Sequence, residues 1–261
     1  MKVALCYHGI AKGYNFKNGG LSVGYSYEFD LIKKNLINQN PNSSFDIFLH
    51  SWSLDAKDEV IKKIKPKDYL FEQSRVFKKP TLFILLKENL KRIFGKGFET
   101  KRINNIYSRW YSFKKVCDLV KKSEETYDLV IVTRFDMCLL KPLDLSNVDP
   151  NYFYSGDWIG IYKDELEVLE QNYKDKSKFH KLKNKGYPYD NEGLQDFFFI
   201  ASQTYMTNKF SFVYNQLKEL IKKYGPSNHK IAFGKLKEDN MLDKHQRILT
   251  YSKDYFLSRW L

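Results

Sequence analysis

Two residues of opposite charge, Arg134 and Asp136, stand where an apolar run near the middle of the chain ends. The run Leu129 to Thr133 is short and β-branched, which is typical of a strand buried on both faces. Open α/β sheets bind their ligands outside the carboxyl ends of their strands. We therefore expect Arg134 and Asp136 to belong to a ligand site. The alternative is a structural ion pair at a strand end.

Two further apolar runs, over 2–7 and 45–49, predict strands that also end in polar or aromatic groups. The residues that follow them closely are His8, Gly9, His50 and Trp52. A loop rich in glycine and asparagine follows the first strand, but it contains neither GxxxxGK[ST] nor GxGxxG. The loop is expected to shape a pocket or to be a plain surface loop.

Elements with helical spacing separate these strands, over 28–38, 55–64 and 104–122. Alternation of strands and helices predicts an α/β protein with a mostly parallel central sheet flanked by helices. A further strand is predicted over 197–201, directly after Asp196. Helices are predicted over 209–224 and 238–248, and a charged, Lys-rich stretch over 165–189 is expected to project from the domain as an insertion.

The composition suits one large folded domain, since 261 residues with 43% hydrophobic and 16% aromatic content can bury a sizeable core. Three cysteines without CxxC spacing predict buried, reduced thiols and a reducing compartment. No stretch approaches the length of a membrane span, and the apolar start is too short for a signal peptide. These features predict a cytoplasmic protein.

A formal charge of +13 suggests an anionic partner, unless the lysines serve only solubility. A nucleic-acid-binding module is one alternative, but no nucleic-acid motif is present, so we expect no nucleic-acid partner. The segment 81–98 has an apolar stripe opposite lysines and arginines. It predicts a helix that lies on an anionic membrane surface, peripheral to the inner membrane, or one that packs on the protein's own core.

The segment YDLVIVTRFDMCLLKPLDL, residues 127–145, resembles the central motif of GT-A glycosyltransferases, in which an apolar strand runs into Asp-x-Asp. Here Arg134 takes the place of the first acid and Asp136 that of the second. The order FDIFLHSWS, SRWYSFKKVCDLV and then Arg-Phe-Asp resembles bacterial glycosyltransferases of capsule and lipooligosaccharide clusters. The resemblance extends from Lys2 to about Ala201.

This resemblance implies a single GT-A-like domain with a nucleotide-sugar-binding half, 1–145, and an acceptor-binding half, 146–261. It implies transfer of a sugar from a UDP- or GDP-linked donor to a saccharide or lipid-linked oligosaccharide. The expected donor contacts are His8, Gly9, His50, Trp52, Arg134 and Asp136. Tyr7 or Trp52 could stack on the base. Transfer of a sugar phosphate or phosphoramidate on the same fold remains the alternative.

In Asp-x-Asp enzymes a Mn²⁺ or Mg²⁺ ion stabilises the charge on the departing diphosphate. The resemblance therefore implies a metal held by Asp136, with His245 as a further ligand. Replacement of the first acid by Arg134 leaves a second arrangement open, because a guanidinium can bind phosphate oxygens directly. Metal dependence is thus undecided by the sequence.

An inverting transferase needs a group that takes the proton of the acceptor hydroxyl. The candidates are Asp196, Glu238 and Asp239, because LKEDNML resembles the Glu-Asp element that supplies the base in many GT-A enzymes. Glu238 and Asp239 would lie in the first turn of the predicted helix over 238–248. Acids at that position also stabilise a helix through its dipole, which is the alternative.

Overall fold

The architecture follows from a computed structural model, which describes residues 1–15, 21–77, 99–157, 193–251 and 253–258. The strands are β1 (Lys2–Gly9), β2 (Gly13–Asn15), β3 (Leu21–Val23), β4 (Ser44–Ser51), β5 (Asp68–Phe71), β6 (Leu129–Arg134), β7 (Met137–Leu139), β8 (Phe153–Asp157), β9 (Phe198–Ala201), β10 (His245–Thr250) and β11 (Tyr255–Leu257). The α-helices are α1 (Ser26–Ile32), α2 (Lys57–Ile64), α3 (Glu99–Lys122), α4 (Gln203–Asn208), α5 (Leu217–Tyr224) and α6 (Asn228–Glu238).

Seven strands form the central sheet in the order β10-β8-β9-β6-β1-β4-β5. All neighbours are parallel except β9, which runs antiparallel to β6 and to β8. From β1 the chain moves outward to β4 and β5 and then returns to the other side of β1 as β6. The order therefore reverses between β1 and β6, which is where open α/β sheets form their ligand crevice. The prediction of a mostly parallel α/β sheet is confirmed.

The sheet is covered on both faces because its strands are apolar on both faces. Along β6, Val130 and Val132 pack with α3, α4, α5 and α6, whereas Leu129 and Ile131 pack with α1 and α2. All four side chains are buried, as the continuous apolar run predicts. Successive side chains of a strand point to opposite faces of the sheet, so the pattern along β6 also determines on which face the residue at its end lies.

One helix prediction was confirmed only in its second half, and another was wrong. Of the helix predicted over 209–224, residues Phe210–Val213 form a 3₁₀ turn, whereas Leu217–Tyr224 form the α-helix α5, which ends at Gly225. The helix predicted over 238–248 is absent, because Glu238 ends α6 and residues His245–Thr250 form β10. Asn240 has a left-handed φ of 55°, and the backbone N–H of Met241 donates to the carbonyl of Leu236. This geometry closes a helix at its carboxyl end.

The strand β11 pairs antiparallel with β7, beside the Arg134–Asp136 turn. The backbone N–H of Ser258 also donates to the carbonyl of Asp136, at 2.9 Å. A late segment of the chain therefore holds the backbone of that turn.

Two predicted features, the amphipathic helix over 81–98 and the Lys-rich insertion over 165–189, lie outside the described residues. Within the described ranges, none of the helices has the length and apolar character needed to cross a bilayer.

Candidate functional site

Three of the expected site residues lie side by side across neighbouring parallel strands. His8 of β1 is in register with His50 of β4 on one side and with Arg134 of β6 on the other. Adjacent strands are about 4.8 Å apart, and equal register gives these residues the same face. The carboxyl edge of the sheet thus carries a row of basic residues in the order His50, His8, Arg134, at the point where the strand order reverses.

Helix α3 packs over this row and adds polar groups to it. The hydroxyl of Ser112 bonds to the backbone of Gly9 and to the ring of His50. Arg109, three residues earlier on the same helix, adds to the burial that lowers the pKa of His8, and Arg134 adds to the burial that lowers the pKa of Arg109. The row therefore lies between the sheet and α3, and the helix covers it.

Arg134 and Asp136 form a bidentate ion pair. The Nε of Arg134 donates to Oδ1 of Asp136 at 2.8 Å, and Nη2 donates to Oδ2 at 3.1 Å. The aspartate side chain is 4% exposed, whereas that of Arg134 is 21% exposed. The guanidinium also lies over the ring of Phe197, 5.8 Å from its centroid. Asp136 is thus an anchor that orients Arg134, and Arg134 is the member of the pair that solvent can reach.

A second charged group lies at the start of β9, around Asp196. The Oδ2 of Asp196 is 3.0 Å from Nε of Arg109, and its Oδ1 is 3.3 Å from Nδ1 of His229. Arg109 also donates to the backbone carbonyl of Asp196. Burial alone would raise the pKa of Asp196, but Arg109, with His229 and Arg134, lowers it below its usual range. Burial lowers the pKa of Arg109 to about 10, so both members of this pair are charged at neutral pH.

His8 stands between these groups as a neutral imidazole. Burial lowers its pKa well below the usual value, and Arg109, Arg134 and His50 add to the effect. Its Nδ1 is buried and finds no hydrogen-bond partner in the described part of the chain. Buried polar atoms are nearly always paired with protein, ordered water or ligand. An unpaired imidazole nitrogen beside two guanidinium groups is a position where a ligand or water would be bound.

Gln195 and Tyr255 extend this unsatisfied set. Both polar atoms of the Gln195 amide and the hydroxyl of Tyr255 are buried and unpaired among the described residues. Gly156 packs against both, since a Cβ there would lie 2.1 Å from the Gln195 amide oxygen and 1.8 Å from the Tyr255 hydroxyl. Glycine is therefore required at 156. The polar atoms gather where β8 and the start of β9 meet the carboxyl edge.

His50 is held in a chain of hydrogen bonds. Its Nδ1 lies 2.7 Å from the Ser112 hydroxyl and its Nε2 lies 2.9 Å from Oε2 of Glu72. The same hydroxyl accepts the backbone N–H of Gly9 at 2.9 Å. Ser112 and His50 are both fully buried, so this Ser–His–Glu set cannot present a nucleophile to a substrate. It fixes the end of β1 instead, where Gly9 has a φ of 108° that disfavours any side chain.

Trp52 belongs to an aromatic group beside this chain. Its ring stacks on Tyr111 with centroids 5.4 Å apart, and Arg75 lies 4.7 Å from the Tyr111 centroid. Trp52 remains partly exposed, so a base could reach it. Tyr7 is 1% exposed and stacks on Phe135, so the expectation that Tyr7 stacks on a base was wrong.

Glu238 and Asp239 lie elsewhere. Glu238 is the last residue of α6 and Asp239 caps its carboxyl end, whereas His229 is the second residue of the helix; nine residues of helix span about 14 Å. Asp239 bonds to Lys235 at 2.7 Å and to the hydroxyl of Tyr205 at 2.8 Å. Glu238 bonds to Lys223 and to the hydroxyl of Tyr224. The structure therefore does not bring these two carboxylates to Asp136 or Asp196, and it removes them from the first helical turn expected from the sequence.

His245 is also remote from Asp136. It is in register with Phe153 at the start of β8, and its Nε2 lies 2.8 Å from the Ser155 hydroxyl. Three strand spacings, about 14 Å, separate β10 from β6. Among the described residues no group of three His, Cys, Asp or Glu could hold a metal ion, and both oxygens of Asp136 face Arg134. These side chains do not fit a divalent cation, and the expected metal stays a prediction.

Neither models of known protein families nor curated proteins gave a match to this chain. The fold class rests on the structure itself, which is an α/β protein with a seven-stranded, mostly parallel sheet flanked by helices. This architecture is compatible with a Rossmann-like fold.

The sequence interpretation missed Arg109, Ser112 and His229. A signal for Arg109 existed, because it falls between Ile106 and Phe113 on the buried stripe of its helix, where a charge needs a partner. Ser112 is one residue off that stripe, and hydroxyls are common on helices. His229 follows Pro226 in a polar stretch and has no local pattern that distinguishes it.

Proposed function

We propose that this protein is a glycosyltransferase that moves a sugar from a nucleotide sugar to a hydroxyl of a saccharide. The observation that carries the proposal is the row of His50, His8 and Arg134 at the carboxyl edge, where the order of the sheet reverses. The resemblance of residues 127–145 to GT-A enzymes supports the same conclusion, and it suggests a surface polysaccharide as the acceptor.

Arg134 would stabilise the leaving nucleoside diphosphate. A guanidinium has five N–H donors, and two of those on Arg134 bind Asp136. The remaining donors can bind phosphate oxygens, and the fixed orientation means that no reorganisation is needed when charge develops. Such a preorganised donor typically contributes about 10²–10³-fold to a rate.

The neighbouring groups suit the rest of a nucleotide sugar. The neutral His8 and the unpaired amide of Gln195 can bond to sugar hydroxyls without adding charge. Trp52 can stack on a nucleobase, since aromatic side chains stack on every base. A site with few net charges and many buried hydrogen-bonding atoms suits a polyhydroxylated ligand better than a nucleic-acid backbone, which needs a line of accessible cations.

Incubation with UDP-, GDP- and CDP-linked sugars tests the proposal. We expect one of them to release free nucleoside diphosphate, and saccharide acceptors to accelerate the release. Release of nucleoside monophosphate would instead indicate transfer of a sugar phosphate, because the bond between the phosphates would then have broken. Tight, salt-dependent binding of oligonucleotides without any sugar turnover would overturn the proposal.

A further inference from the structure

Trp52 and Tyr111 form an aromatic platform beside the row of basic residues. Their ring planes are 23° apart and their centroids 5.4 Å apart, which is an offset stack. The backbone N–H of Trp52 donates to the carbonyl of Gly9 at 3.0 Å, and the hydroxyl of Tyr111 donates to Oε1 of Glu72 at 3.2 Å. Both residues are half-buried, so the platform is fixed to the end of a strand and to α3 but also reaches the surface.

The side chain of Arg75 lies over this platform. Its guanidinium carbon is 4.7 Å from the Tyr111 centroid and 5.9 Å from the Trp52 centroid. Because the two rings are themselves 5.4 Å apart, the three distances form a nearly equilateral triangle. The guanidinium therefore contacts both rings at once and does not lie behind one of them. A guanidinium is planar and stacks on aromatic faces, so it occupies the place where a planar ligand would stack on the platform.

The contacts of Arg75 are of a weak kind. The side chain is 47% exposed, and besides the two rings it pairs with the carboxylate of Glu72. Cation–π contacts and ion pairs at exposed sites each contribute little, because water competes for the charge. The residues next to it in the chain, Ser74 and Val76, are exposed as well. The guanidinium can therefore leave the rings for solvent at a small cost in free energy.

The platform keeps its other supports when Arg75 moves. Glu72 retains two partners, since its Oε2 lies 2.9 Å from Nε2 of His50 and its Oε1 accepts from the hydroxyl of Tyr111. The ring of His50 also packs edge-on against Trp52, with centroids 4.9 Å apart. Displacement of one exposed side chain thus uncovers the two rings without any change in the buried hydrogen bonds beneath them.

We infer that the platform binds the nucleobase of the donor and that Arg75 is its displaceable cover. Without ligand the guanidinium occupies the two rings, and the base takes its place on binding. The inference rests on the proposed function for the identity of the ligand, and a base suits the platform because every base has a π face. The apparent affinity is then reduced by the fraction of molecules in which Arg75 has left the rings. Arg75 therefore opposes binding of the base.

The test measures the Kd of uridine, cytidine and guanosine for the full chain by calorimetry, because nucleosides carry the base without phosphate. Arg75→Ala should bind the tightest of them about threefold to tenfold more tightly than the wild type. Adding Trp52→Ala to that variant should weaken binding by about tenfold or more. Lys57→Ala is the matched control, since its ammonium lies 5.6 Å from the ring centroid of Tyr69, outside the platform, and the Kd should not change.

The outcomes separate this inference from the proposed function. An unchanged Kd in Arg75→Ala would show that the guanidinium does not compete, and a weaker one that it helps to bind the base; either overturns the inference. So does the absence of nucleoside binding in both proteins, whereas cleavage of nucleotide sugars decides the proposed function independently.

A measurement on the wild-type protein follows the NMR signal of the Arg75 Nε–H, assigned by its loss in Arg75→Ala. Ring currents of Trp52 and Tyr111 should shift this signal, and saturation with the nucleoside should move it to the position of an exposed arginine. A signal that stays in place while the nucleoside binds would exclude displacement.

Discussion

At the amino edge of the sheet Lys67 reaches Asp46 at 2.7 Å and Glu125 at 3.2 Å, and Lys2 reaches Glu125 at 2.6 Å. These side chains are 28% to 41% exposed. At the carboxyl edge the corresponding ion pairs are buried, with Asp136 at 4% and Asp196 at 5% exposure. Unpaired polar atoms of His8 and other buried residues accompany them among the described residues.

The ion pairs at the two edges therefore differ in what they do for the protein. Ion pairs that are exposed to water contribute little to stability. At this edge, one charged side chain can also pair with more than one partner. Buried pairs are costly to desolvate, and they persist where their geometry serves something else. At the amino edge of the sheet the charged side chains pair with each other. At the carboxyl edge, among the described residues, several buried polar atoms have no hydrogen-bond partner.

Replacement of Arg134 by alanine should cause the largest loss of activity. Without the guanidinium, kcat/KM for nucleotide-sugar cleavage should fall by about 10²–10³-fold. Lys67→Ala is the control from the amino edge and should leave kcat/KM unchanged. Arg134→Lys should give an intermediate loss, because an ammonium keeps the charge but not the bidentate geometry. Equal losses of kcat/KM in Arg134→Ala and Lys67→Ala would mean that the carboxyl edge contributes no more to activity than the amino edge.

Asp239→Asn should weaken the fold and spare the chemistry. Lys235 is 5% exposed and would lose its partner, so the free energy of unfolding should fall by about 3 kcal/mol. Turnover per folded molecule should stay at the wild-type value, measured beside urea denaturation. Glu238→Gln, at an exposed pair, is the matched control. A collapse of turnover in a folded Asp239→Asn protein would restore this acid as the catalytic base.

Ser112→Ala should destabilise the end of β1. The change leaves the Nδ1 of His50 and the backbone N–H of Gly9 without their partner, which costs about 2 kcal/mol in the free energy of unfolding. Chemical denaturation measures the loss, with Ser146→Ala at an exposed site as control. An unchanged free energy of unfolding would mean that the hydrogen bonds that link Gly9, Ser112, His50 and Glu72 do not stabilise the end of β1.

Acidification should destabilise the protein partly through His245. Burial lowers its pKa to about 4, whereas the unfolded value is about 6.5. The unfolded state therefore binds the proton first, so stability is complete above pH 6.5 and declines as the pH falls toward 4. At pH 5 the loss from this residue is at most about 2 kcal/mol. Denaturation at pH 7 and pH 5 should show a smaller difference in His245→Gln; an equal difference would assign the effect to His8 and His50.

The sequence predicted the carboxyl edge well because strand ends are a local signal. A continuous apolar run followed by Arg134, or by His8, defines both the strand and the point where it stops. Register could not be predicted in the same way, since it depends on pairing between distant segments. The alignment of His50, His8 and Arg134 became visible only in three dimensions.

The acidic residues near the carboxyl end were harder to interpret. Glu238 and Asp239 suit the first turn of a helix through the dipole, but they also suit a last turn when lysines lie nearby to pair with them. The left-handed Asn240 decides between these alternatives, and asparagine is common in many loops. His229 was missed for a related reason, because its contact with Asp196 joins residues 33 positions apart and leaves no local pattern in the sequence.

The pairing of β11 with β7, and the bond from Ser258 to Asp136, join residues translated late to a turn translated near the middle. During synthesis the Arg134–Asp136 turn would leave the ribosome without this support. The partly made chain would therefore hold an incompletely fixed turn, and the backbone around Asp136 would reach its final geometry only after residues 255–258 emerge.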